Sequence, residues 1–210
     1  MTAQKPLRLM LYDDTCRGRR FLPGLTHSWI VGGFLYRLLG RIDRVFGARS
    51  WAEGLQWLAS VEEHRPVAEI QFWGHGKWGR AKIADDVLDV GALRSEHPYY
   101  STLAAIGDRL VGPQALWWFR TCETFGCEVG HEFARQWTQF FDCRAAGHTY
   151  IIGPWQSGLH VLGPGEEPDW SLQEGLAQGT PKDPKKALWS RPGELNTITC
   201  LHNGHPGLRD

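Results

Sequence analysis

VAEIQFWGHG, residues 67–76, is an apolar, aromatic-rich segment that breaks at Gly74-His75-Gly76. A run of this kind bounded by glycine predicts a buried strand reaching the edge of a sheet, with His75 at its carboxyl end. Downstream, ALWWFR at 115–120 is too apolar for a solvent-facing strand and ends at Thr121-Cys122. Upstream, residues 7–12 form a short apolar strand that stops at Asp13 and Asp14, before a turn-rich basic stretch with Arg17, Arg19 and Arg20. Between these strands, Phe34, Leu35, Leu38, Leu39, Ile42, Val45 and Phe46 recur opposite Arg37, Arg41 and Arg44, which predicts an amphipathic helix. A second helix starts at Ser50 as N-cap, runs through Leu55 and Leu58 to about Glu63, and is ended by Pro66. Residues 80–90 read as a hairpin around Asp85-Asp86, and 101–110 hold a further helix. Val129, Phe133, Trp137 and Phe140 mark the inward face of another, and 145–152 return as a strand before Gly153-Pro154. Strands alternating with helices imply an α/β three-layer sandwich with a mostly parallel central sheet. That domain takes residues 1–163, and 164–210, punctuated by Gly and Pro, read as an irregular extension packed on it, with at most a helical turn near Leu172.

At 210 residues and 23.8 kDa the chain is long enough for one full core, burying about 70% of its unfolded surface. Lys plus Arg and Asp plus Glu both number 23, so no net field draws in nucleic acid or an anionic membrane. No apolar run reaches the roughly 18 residues that a membrane span needs. The start, MTAQKPLRLMLYDD, has only a broken apolar run and no small-residue cleavage site, so export is not expected. Cys16, Cys122, Cys127, Cys143 and Cys200 are odd in number and irregular in spacing, which favours reduced thiols and a cytoplasmic setting.

Ligands of an open parallel sheet bind outside the carboxyl ends of its strands, and here two such ends deliver His75 and Cys122. If the strands are adjacent, the imidazole can take the thiol proton and later protonate a leaving group, the layout of a Cys-His hydrolase. The glycines flanking His75 allow a tight turn, and the Gly76 N–H could face a developing oxyanion.

The order apolar strand, His-Gly (EIQFWGHG), then apolar strand, Cys (ALWWFRTC), resembles the caspase-like cysteine peptidases. It is most similar to a caspase-like domain of large bacterial adhesin-like proteins, in which His-Gly-x-x-Gly, a small hairpin, a strand ending near Cys, and Gly and Phe on the next helix follow one another. Here these are His75, Gly76, Gly79, the hairpin around Asp85, Cys122, Gly130 and Phe133, within about residues 65–160. The resemblance implies His75 as general acid/base, Cys122 as nucleophile and the N–H groups of Gly76 and Cys122 as oxyanion donors. It implies a peptide or protein substrate and needs no cofactor and no metal. Basic-specific members place an acidic residue two positions before the Cys, where this chain has Arg120; Asp13 or Asp14 could supply that carboxylate.

Other readings compete. Gly74-His75-Gly76-Lys77-Trp78-Gly79 spells a dinucleotide fingerprint, but Ala81 to Val90 lacks the helical stripe that motif requires. Cys122, Cys127 and His131, with Cys143 and His148, offer soft ligands for zinc without a C-x2-C knuckle, and Cys200, His202 and His205 offer weaker ones. Cys127 reads as a resolving thiol or as packing, and Arg17 with Arg19 and Arg20 as an anion site or a solvated loop. Arg120 could lower the Cys122 pKa or read an acidic side chain. Among 11 Trp, Trp78 and Trp155 are expected as cleft walls and Trp73, Trp117 and Trp118 as core. A reading of a different class is a catalytically silent interaction module whose aromatic cleft binds a peptide or glycan.

Overall fold

The computed structural model describes residues 5–19, 22–202 and 206. Its centre is a six-stranded sheet of β1 (Leu7–Asp13), β2 (Arg44–Ala48), β3 (Val67–Trp73), β4 (Leu116–Arg120), β5 (Arg144–His148) and β6 (Leu159–Leu162), in the order β6-β5-β4-β3-β1-β2. The first five strands are parallel and β6 runs antiparallel to β5. The chain is therefore α/β with a mostly parallel sheet, as expected. Both faces are covered, which is why β3 and β4 read as near-continuous apolar runs.

One face packs Ile70, Phe72, Trp117 and Phe119 against the helices α2 (Trp51–Ser60), α3 (Tyr100–Gly107) and α4 (Cys127–Phe141). Ser50 caps α2, its Oγ accepting from the Glu53 amide at 3.2 Å. The opposite face carries Met10 and Trp73 under Tyr36 of α1 (Leu25–Leu38), with Leu116 and Trp118 nearer the C-terminal segment. The hairpin is present, as Ala81–Ile83 paired with Asp86–Leu88.

The expected helix over 34–46 is displaced: α1 ends at Leu38, Gly40 takes a left-handed φ of +66°, and Val45 and Phe46 belong to β2. The inward face is also different. Gly32 and Gly33 lie so close to the sheet that a Cβ would meet Trp73 at 2.5 Å and Met10 at 3.1 Å, while Phe34 and Leu38 are 66% and 72% exposed. A hydrophobic stripe misplaces a helix face wherever close approach selects glycine. In α4, Phe133 and Trp137 point inward as expected, but Val129 is exposed and Phe140 half-buried, and Gly130, Ala134 and Phe141 complete the buried face. The strand expected over 145–152 stops at His148, with a single bridge from Ile151 to Trp189 beyond it.

The C-terminal extension is more ordered than its composition suggests. Leu176–Gly179 pairs with Pro184–Ala187, Trp155–Gln156 with Ile198–Thr199, and residues near Leu172 form a turn, not a helix. Trp170 anchors it, stacking on His160 at 4.5 Å and donating its Nε1–H to the Phe125 carbonyl at 3.0 Å.

Candidate active site

Parallel pairing sets Tyr12 opposite Trp73 and Trp73 opposite Arg120, so β1, β3 and β4 finish level. Three chain segments therefore emerge together at one edge of the sheet: Asp13 to Cys16, His75-Gly76, and Thr121-Cys122.

His75 and Gly76 form a short ribbon with Ala81–Ile83, pairing with Lys82 and Ala81. The ribbon is pressed against the loop that carries Cys122. A Cβ at Gly76 would sit 2.3 Å from Thr124 Oγ1 and 2.7 Å from Thr121, so only glycine fits, and the Gly79 amide donates to the Thr124 carbonyl at 2.9 Å. Beneath Gly76 the Thr121 and Thr124 hydroxyls share a 2.5 Å hydrogen bond. No helix opens at these glycines, which removes the dinucleotide reading.

The Cys122 thiol is partly buried, with the Ile152 amide donating to Sγ at 3.4 Å. Burial pushes this thiol up to about 11; the Ile152 amide opposes the rise and the neighbouring Glu123 adds to it. Glu123, which sequence reasoning passed over, is itself buried in a left-handed turn (φ +57°), its carboxyl raised by burial and drawn back by Lys77.

The exposed His75 imidazole does not hydrogen-bond to Cys122. Its Nε2 lies 3.3 Å from Sγ of Cys16, and the edge of Trp29 approaches the ring at 5.8 Å. Cys16 also reaches Asp13, at 3.7 Å from Oδ2. Asp13 is fully buried and its other oxygen accepts from the Thr15 amide at 2.8 Å and hydroxyl at 2.6 Å. The sequence signal for Cys16 was available: it falls three residues after the strand-ending Asp13.

The remaining candidates divide. Asp14 is held by Arg17 at 2.5 Å, with Arg49 at 3.8 Å, so its carboxylate and the Arg17 guanidinium are already engaged with one another. Arg20 lies outside the described residues, and only the backbone of Arg19 is described. Trp78 is half-buried, with the Lys77 ammonium 4.7 Å from its ring centre, and Trp155 is 45% exposed. Trp73, Trp117 and Trp118 are core, as expected.

Arg120 does not stand beside the thiol. Strand alternation sends it to the α1 face, where it is 2% exposed between Trp73 and Trp118, with its carbon 4.1 Å and 4.6 Å from their ring centres. It donates to Tyr36 Oη at 2.8 Å, Gln156 Oε1 at 2.9 Å and the Cys200 carbonyl at 3.0 Å, a structural role on the face of the sheet away from the thiol.

The soft ligands proposed around Cys122 are not gathered: His131 packs edge-on to Trp170 at 4.8 Å, and His148 meets the Ser157 carbonyl at 3.2 Å. His205 lies outside the described residues. Among the described residues, the one cluster of His, Cys and carboxylate donors is Asp13, Cys16 and His75. Compared with known proteins, the chain matches no family model and no curated protein sequence at a significant level.

Proposed function

We propose that this chain is a caspase-like cysteine hydrolase that cleaves peptide bonds, with Cys122 as nucleophile and His75 as general acid/base. The observation that supports it is the register of two adjacent parallel strands: Trp73 pairs with Arg120, and His75 and Cys122 each follow their strand by two residues. Gly76, packed on the Cys122 loop, keeps the two segments in contact.

A thiol with a pKa of about 11 is thiolate in roughly one part in ten thousand at pH 7, so attack on a carbonyl needs a base. In the reaction His75 turns from Cys16 to Cys122 and accepts the thiol proton as Sγ bonds to the carbonyl carbon. The N–H groups of Gly76 and Cys122 receive the oxyanion. Its collapse breaks the C–N bond, the imidazolium protonates the departing amine, and water then hydrolyses the thioester with His75 as base. In this reading Arg17, Trp78 and Trp155 border the substrate path, the buried Asp13 and Asp14 support it from beneath, and a reducing, cytoplasmic setting keeps the thiol available.

A second reading, a silent caspase-like module that binds a peptide or glycan, is favoured by the resting contacts: His75 bonded to Cys16 and Cys122 engaged with Ile152. Peptidyl acyloxymethyl ketones separate the two. The hydrolase reading expects Cys122 to carry the label and His75→Ala to abolish it. No label, or a label on Cys16 alone, overturns the assignment of Cys122.

A further inference from the structure

We propose that Asp13 Oδ2, Cys16 Sγ and His75 Nε2 form a zinc site, and that zinc bound there holds the hydrolase off by occupying the imidazole nitrogen that Cys122 needs. The second half rests on the function proposed above; the first does not.

The three donor atoms are close enough to share one ion. The three donor atoms lie within 4.8 Å of one another, with sulfur 3.3 Å from nitrogen and 3.7 Å from oxygen. A tetrahedral zinc with bonds of about 2.3 Å to sulfur and about 2.0–2.2 Å to nitrogen and oxygen separates sulfur from each lighter donor by about 3.5 Å. The distances in the structure straddle that value.

Chemistry selects the ion. A thiolate, an imidazole and one carboxylate suit zinc, whereas magnesium and calcium take oxygen ligands. Thiolate and carboxylate together carry two negative charges, which a divalent ion neutralises. Binding exchanges the Cys16 S–H bond for an S–Zn bond and releases the proton to solvent.

The surroundings are built as a ligand's outer shell is. Asp13 is fully buried, and Thr15 engages Oδ1 through both its amide and its hydroxyl, leaving Oδ2 turned to Cys16. Neighbouring Asp14 takes Arg17, so that cation is drawn off to a different carboxylate. His75 is exposed, so water has access to an ion held there. The donors come from the ends of two adjacent strands: Asp13 is the last residue of β1, Cys16 follows it by three residues and His75 follows β3 by two, so the sheet itself holds them at this separation.

Cobalt(II) reports on such a site without any activity. Titrated into metal-free protein under a non-thiol reductant, Co2+ is expected to produce tetrahedral d–d absorption and a sulfur-to-cobalt charge-transfer band that saturate at one equivalent and are bleached by Zn2+. Cys16→Ser should remove the charge-transfer band, His75→Ala should weaken binding at least tenfold, and Cys122→Ser should change neither. His75 is on the surface, so its alanine variant stays folded. Absence of the band at one equivalent, its persistence in Cys16→Ser, or its loss in Cys122→Ser overturns the site. The ketone probe then tests the consequence in wild-type protein: one equivalent of Zn2+ should slow Cys122 labelling at least tenfold, and unchanged labelling in zinc overturns the inhibition. A cobalt band in a protein that never labels at Cys122 retains the metal site and removes the hydrolase; labelling without a band does the reverse.

Discussion

His75 Nε2 and Cys16 Sγ stand 3.3 Å apart, so the imidazole proposed to serve Cys122 rests against a thiol on the opposite side of β3. Iodoacetamide, too small to occupy a substrate cleft, should therefore see the resting thiols. Cys122 alkylation should rise about tenfold per pH unit from pH 7 to pH 10, following a thiol at about 11, and should be unaffected by His75→Ala. A plateau beginning near neutral pH would mean that His75 and Cys122 are paired already at rest.

The other buried thiols give an internal control. Cys127 and Cys143 are 1% and 0% exposed, and burial pushes them up to about 11 and 12. Peptide mapping of the alkylated native protein should find both at least ~100-fold slower than the half-buried Cys16, since they react only through opening of the core.

Gly76→Ala tests the contact that joins the two halves of the site. Its methyl would fall 2.3 Å from Thr124 Oγ1, and overpacking of this kind costs about 1–3 kcal/mol. Urea denaturation should show that loss, together with a fall in Cys122 labelling by the ketone; unchanged stability would mean that the ribbon does not press on the Thr121–Thr124 turn.

Arg120→Ala should destabilise the protein by at least ~3 kcal/mol, because three hydrogen bonds of the buried guanidinium are lost at once. The Cys200 carbonyl accepts one of them, so amide exchange should rise across 198–202 while β3 stays protected. An effect confined to Cys122 reactivity would instead place Arg120 in the site.

His148 gives a pH signature. Burial holds its imidazole down to about 3, helped by the nearby Arg120 and His160 charges and opposed by the Ser157 carbonyl. Between about pH 6.5 and 3 the unfolded chain binds a proton there that the folded one refuses, so stability falls as the pH drops, by up to about 1.4 kcal/mol per unit. His131, also lowered by burial, contributes in the same direction. Urea midpoints at pH 7, 6 and 5 should fall less steeply in His148→Phe than in wild type; parallel curves would assign the acid sensitivity elsewhere.

Local pattern carried much of the fold. β3 and β4 are legible because strands buried on both faces are mostly apolar, Glu69 and Gln71 of β3 and the terminal Arg120 of β4 apart, and α2 because Ser50 caps it. α1 was misplaced because glycine, chosen there for close approach to Trp73 and Met10, carries no hydrophobic signal. Trp170 made order in a segment whose Gly and Pro content suggested little.

By itself the sequence determined that His75 and Cys122 each follow an apolar strand, and that strands alternating with helices make a parallel sheet. Only the tertiary structure decided that β3 lies between β1 and β4, so that His75 has a thiol-bearing loop on either side and rests against the one that carries Cys16. The reason is physical. Strand periodicity is written in neighbouring residues, but which parallel strands pair is set by crossovers and by burial summed over the whole sheet, and those leave no local mark around Cys16.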